Sequence, residues 1–165
     1  MYNKNLENYY EIECLDAEGN LKWNENFSNL VVTAGLNDSI DKHFKGSSYT
    51  ASWYVGLSGS SPTFAAGDTM SSHAGWVEIT AYSEASREAL TLGTITSGSA
   101  DNSASKASFS INGTVSVGGA FITTGSTIGG TVGTIYGGGA FSSGNRSVIS
   151  GDTVNVTVTV SATAS

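Results

Sequence analysis

The stretch Asp152-Thr-Val-Asn-Val-Thr-Val-Thr-Val-Ser161 decides how the chain is read. Val154, Val156, Val158 and Val160 share one parity, and Thr153, Asn155, Thr157 and Thr159 share the other. Successive strand side chains point to opposite faces, so this pattern predicts a half-buried strand. A slip of one residue would turn all four valines outward, which fixes the register.

Working outward, composition favours the same class. Gly, Ser, Thr and Val dominate the 165 residues, and only 13% are charged. That mixture suits short strands and turns better than helices. The length fits one domain with its own core. A net charge of −7, with seven scattered Lys and Arg, argues against nucleic-acid binding. The lone Cys14 cannot form an internal disulfide and reads as a small buried apolar residue. The N-terminus lacks the apolar stretch of a secretory signal, and no run has the roughly 20 apolar residues of a membrane helix. These readings predict synthesis in the cytoplasm and no membrane partner.

Before the terminal strand, Tyr10–Leu15 and Leu21–Phe27 alternate about a turn at 16–20, predicting a hairpin. Residues 1–8 read as an N-terminal arm without a core of its own, ahead of a single domain over 9–165. One helix is predicted over about 33–45, with Leu36, Ile40 and Phe44 on one face and Gly46 as its stop. Thr33 is its expected cap, Asp38 and Asp41 are placed towards its positive end, and its narrow apolar stripe is expected to lie flat on a sheet edge or sandwich end. Further strands are predicted at 49–57, 75–80, 89–95, 104–111, 115–124, 131–141 and 146–150. The 58–72 segment is a long loop, Asn112-Gly113 a hairpin turn, and Gly137-Gly-Gly139 a bulge or close approach. With no fixed-period repeat, the fold class is all-β: an antiparallel β-sandwich, jelly-roll-like or immunoglobulin-like, with one short helix.

Chemistry-bearing motifs are scarce. His43, His73, Asp68, Asp38 and Cys14 show no metal-ligand spacing, and no Gly-x-Ser-x-Gly elbow follows a strand. Glu84, Arg87 and Glu88 read as a surface ion pair or a guanidinium tying down a loop. Trp53, Tyr54, Trp76 and Tyr82 read as core plugs or as stacking platforms for a sugar or a partner. The expectation is a non-enzymatic protein with no cofactor, no metal and no catalytic residues.

Several phrases together resemble a family of small virion structural proteins of tailed bacteriophages. They are Asn29-Leu-Val-Val-Thr-Ala-Gly-Leu-Asn-Asp38, Trp53-Tyr-Val-Gly-Leu57, and Ala66-Gly-Asp-Thr-Met-Ser-Ser-His-Ala-Gly-Trp-Val-Glu78. Tyr82 to Arg87 with Leu90-Thr-Leu92, Phe109-Ser-Ile-Asn-Gly-Thr114, Gly119-Ala-Phe-Ile122 and Gly151-Asp-Thr-Val-Asn-Val-Thr-Val158 continue the series, so it spans about residues 28–160. Glu88 stands where that family commonly has Pro. The resemblance implies a capsid decoration or cement protein, jelly-roll-like and dimeric or trimeric. Such a protein would sit on the outer surface of the capsid and clamp neighbouring subunits of the major capsid protein. A tail or head-to-tail component is the alternative within a virion, and a carbohydrate-binding module using surface aromatics the alternative outside it. Candidate interface residues are Tyr2, Leu6, Tyr9, Tyr54, Phe64, Met70 and His73.

Overall fold

The computed structural model describes residues 6–48 and 52–162. It is mostly antiparallel β structure with one helix, so the all-β class holds. The strands are β1 (Leu6–Leu15), β2 (Leu21–Ser28), β3 (Leu30–Val31), β4 (Tyr54–Ser58), β5 (Glu88–Ala89) and β6 (Ser99–Asp101). They continue with β7 (Ala107–Ser110), β8 (Val115–Val117), β9 (Gly119–Thr123), β10 (Ile135–Ala140), β11 (Arg146–Val148) and β12 (Thr153–Ala162); the helix α1 is Thr33–Phe44.

The valine ladder does what its pattern predicts. β12 lies between β1 on one side and β6 and β7 on the other, with β2 outside β1; this is sheet A. Val154, Val156 and Val158 are buried, opposite Cys14, Ile12 and Tyr10 of β1. Sheet B runs β3, β10, β9, β4, β5, and its Val55, Leu57, Ala120 and Ile122 enter the same apolar core as the valines. β8 and β11 form a separate two-stranded ribbon.

Between β6 and β7 the chain leaves the ladder in a single turn of 3-10 helix, Ser103–Ser105. That excursion would strand two backbone groups of β12. Asn102 replaces the missing strand: its side-chain amide donates to Val156 O at 3.2 Å and accepts from Val158 N at 2.6 Å. A buried peptide group without a partner is costly, which makes this substitute a condition of the long terminal strand.

Sheet B has a second core on its far face. Phe121 points away from the valines between Gly56 and Gly138, its neighbours across the ladder. A Cβ at Gly56 would run into the Phe121 ring, and one at Gly138 into the Phe64 ring. Gly56 therefore makes room for Phe121 and Gly138 for Phe64, and Trp76 packs against both rings, with Met70, Val32 and Ile135 around them. The predicted close approach at Gly137–Gly139 is thus present, with a register shift between Ile135 and Gly137.

Several expectations are corrected. Leu6, Glu7 and Asn8 belong to β1, paired with Ala162, Ser161 and Val160, so they are sheet and not arm; the rest of the arm and Tyr2 lie outside the described residues. Val32, not Thr33, sits at the helix cap without a side-chain bond, and no acid occupies the first turn. Residues 75–80 form no strand beyond an isolated bridge between Ser58 and Glu78. Asn112-Gly113 closes no hairpin, because β7 pairs with β12 and β8 with β11. The expected strand over 115–124 divides at Gly118, with β8 and β9 in different sheets. The strand predicted over 89–95 shortens to β5, since residues 91–98 are exposed.

Candidate functional site

The helix departs furthest from its sequence pattern. Leu36, Ile40 and Phe44 recur every fourth residue, yet they face solvent, with Ile40 54% and Phe44 80% exposed. The helix instead docks through Gly35, its one buried residue, because only a glycine lets it approach so closely: a Cβ there would strike the Tyr136 carbonyl. Gly35 lies roughly opposite the stripe on a helix of 3.6 residues per turn. Ala34 packs with the far-face core of sheet B. Asp41 pairs with Lys42 at 3.7 Å and Lys45 at 3.6 Å, leaving the three-residue stripe itself apolar. Three adjacent apolar side chains presented on a docked helix resemble the anchors of helix-mediated recognition.

The loop aromatics are occupied by folding. Phe64 and His73 both stack on Trp76, with ring centroids 5.1 and 3.8 Å away. The Trp76 indole donates to Asp68 Oδ2 at 3.0 Å, and the same oxygen accepts from Ala65 N at 3.0 Å. His73 Nδ1 lies 3.1 Å from Trp76 O. Asp68 and His73 thus organise the loop. Met70 is buried, so its side chain offers no surface to a partner. Phe64, His73, Leu6 and Tyr54 are half-buried, and Tyr9 is exposed on the open face of sheet A. Trp76 and Tyr82 are core residues and Trp53 packs edge-on against Tyr136, so for these three the core-plug reading holds over the stacking-platform alternative.

Arg87 ties down a loop, but through a partner the sequence did not single out. It is fully buried: Nε and Nη2 donate to the two carboxylate oxygens of Glu78 at 2.7 Å each. Nη1 donates to Gly125 O at 2.7 Å and Nη2 to Gly130 O at 3.0 Å, while Glu78 also accepts from Gly129 N at 2.8 Å. The guanidinium lies 5.4 Å from the Phe121 ring centroid. This clip fixes the 124–133 loop and the 75–78 segment to sheet B. Glu84 instead receives Ser110 N, and Glu88 stands in β5. Burial, reinforced by Glu84, raises the Glu88 carboxyl above its ordinary range.

Burial pushes the Cys14 thiol up to about 11, which keeps it protonated and unreactive at neutral pH. Among the described residues no group of three His, Cys, Asp or Glu side chains is placed to hold a metal ion. No helix there is long and apolar enough to cross a membrane. Comparison with family models, characterised proteins and solved structures finds no match.

Sequence reasoning missed the exposure of the helix stripe and the Glu78–Arg87 pair. The first had a signal in Gly35, a helix-breaking residue that marks a close backbone contact on the face opposite the stripe. The second had none, since the pair depends on where a loop crosses a sheet.

Proposed function

We propose that the chain is a non-enzymatic structural protein of a bacteriophage virion, a decoration or cement protein on the outer head surface. It attaches to the major capsid protein through the apolar stripe of α1 and helps hold neighbouring subunits together. The single observation carrying this reading is the helix that turns Leu36, Ile40 and Phe44 to solvent while docked on Gly35. A docked helix presents an anchor with little ordering cost on binding. The family resemblance of residues 28–160 supplies the class of partner. The fold reading that accompanies it is a two-layer antiparallel β-sandwich of jelly-roll type, stiffened by the far-face core and the Arg87 clip.

Three side chains cover only part of the roughly 800 Å² per partner used in a standard interface. The stripe is therefore one contact among several, as a protein spanning a subunit seam requires. The test is reconstruction of the intact particle with protein quantitation. Hundreds of copies on the head, with α1 against the shell, support the proposal. A handful of copies at the tail, or α1 facing outward, sinks it.

A further inference from the structure

Sheet B is covered on both faces, but the outer face of sheet A is bare among the described residues. Strand register sets its side chains in three rows: Ser28, Tyr9, Thr159; Asn26, Glu11, Thr157; and Asn24, Glu13, Asn155. Neighbours within a row stand about 4.8 Å apart. A depression of about 310 Å³ opens over the second and third rows, and its lining includes Glu11, Glu13, Glu25, Asn24, Asn26, Lys106 and Thr157. Thr157 is only 8% exposed although it points outward, so it forms part of the floor.

The lining is chemically specific. Glu13 is engaged by Lys106 Nζ at 2.7 Å and Asn155 Nδ2 at 3.3 Å. Glu11 lines the opening and has no ion-pair partner among the described residues, so its carboxylate is left to accept hydrogen bonds from a ligand. Asn24 and Asn26 each bring amide donors and an acceptor, and Thr157 a hydroxyl. Tyr9, 40% exposed, stands one row from Glu11 and offers an aromatic surface beside these polar groups.

The geometry points to a binding site for a neutral oligosaccharide on the open face of sheet A, with Tyr9 as stacking platform and Glu11, Asn24 and Asn26 as hydroxyl-binding groups. Sugar hydroxyls both donate and accept, which matches a mixed amide and carboxylate lining, and the less polar face of a pyranose ring suits the Tyr9 ring. Glu7 and Glu11 keep the face acidic, so sialylated or sulfated glycans are repelled. A cationic peptide fits less well, because Lys106 already engages Glu13, Arg146 engages Glu25, and most of the remaining lining is uncharged. The volume lies at the low end for ligand pockets, which suits a short stretch of sugar and weak single-site affinity. This inference is independent of the capsid reading.

The test is a glycan array on the full chain, followed by calorimetry and NMR titration with each hit, with cellotetraose, chitotriose, sialyllactose and a Lys/Arg decapeptide as fixed probes. Support is saturable binding of a neutral glycan that shifts the amides of residues 9–13, 24–26 and 157. Tyr9→Ala, Asn26→Ala and Glu11→Gln should each weaken that binding about tenfold while leaving the melting temperature unchanged. Three outcomes overturn the proposal: no neutral glycan binds, only the decapeptide or anionic glycans bind, or the variants bind as tightly as the parent chain.

Discussion

Replacing Arg87 with Met should destabilise the protein more than any surface change. The guanidinium is 0% exposed and its Glu78 partner 7%, so neither charge has water to fall back on. Removing Arg87 leaves the Glu78 carboxylate with the Gly129 N–H alone, and leaves the Gly125 and Gly130 carbonyls without their donor. Breaking a buried pair in this way costs about 3–5 kcal/mol. At roughly 2–4 °C per kcal/mol for a chain of this size, the melting temperature should fall by about 6–20 °C. Arg87→Lys should recover little, since one ammonium cannot supply the planar fork that reaches Glu78 and two carbonyls together. Urea unfolding of Arg87→Met, Glu78→Leu and the double variant measures the coupling. The double variant should lose far less than the sum of the singles, because it leaves no unpaired buried charge. Hydrogen exchange should also speed up across residues 124–133. Single losses below about 1 kcal/mol that simply add would refute the view that this pair fixes the loop.

Other consequences are as direct. Phe44→Ser and Ile40→Ser should leave melting within about 0.5 kcal/mol of the parent, as exposed positions do. The same changes should weaken rebinding to stripped capsids by at least tenfold in a pelleting assay, whereas equal loss of folding would mean the stripe is core. Asn102→Ala orphans the Val156 carbonyl and the Val158 N–H, and at about 1–3 kcal/mol each should cost roughly 2–6 kcal/mol by urea titration. Glu88→Gln carries a definite sign. Burial raises the folded carboxyl above its unfolded value, so the native state holds its proton more tightly and stability falls as pH rises through that window. The amide should therefore raise the melting temperature at pH 7 and change it little at pH 3. Glu13 behaves oppositely, because Lys106 lowers its carboxyl and the stabilisation present above the unfolded value is lost as pH falls through the folded one. Glu13→Gln should flatten the acid limb of the stability profile.

How much was legible follows from which interactions are local. The alternation in β12, the β1–β2 hairpin and the extent of α1 are written in spacings of two and four residues, and all three are present. The placement of α1 was not legible in the same way. Its strongest periodic signal marks the face left bare, because a single glycine lets the opposite face approach backbone. Asn112-Gly113 shows a related failure. A local turn preference is worth little beside two ladders that pull β7 and β8 into different sheets. For the aromatics the sequence left two readings open, and Trp76 takes the core one; its partners Phe121 and Phe64, seated over Gly56 and Gly138, lie far from it in sequence or across a loop, so no local spacing could decide between them.

These departures share a geometric consequence for function. The loop that carries Trp76, together with α1, covers the far face of sheet B, so the helix stripe looks away from the valine core on that side. The Tyr9, Glu11 and Glu13 face looks away on the other side, beyond sheet A. One body thus carries an apolar contact surface and a polar, acidic surface on opposite sides, with two cores and a buried ion pair between them. A protein anchored by the first would present the second outward. The two sites should accordingly be separable: Phe44→Ser should leave saccharide binding intact, and Tyr9→Ala should leave capsid attachment intact. Loss of both functions in either variant would mean that the two surfaces act as one.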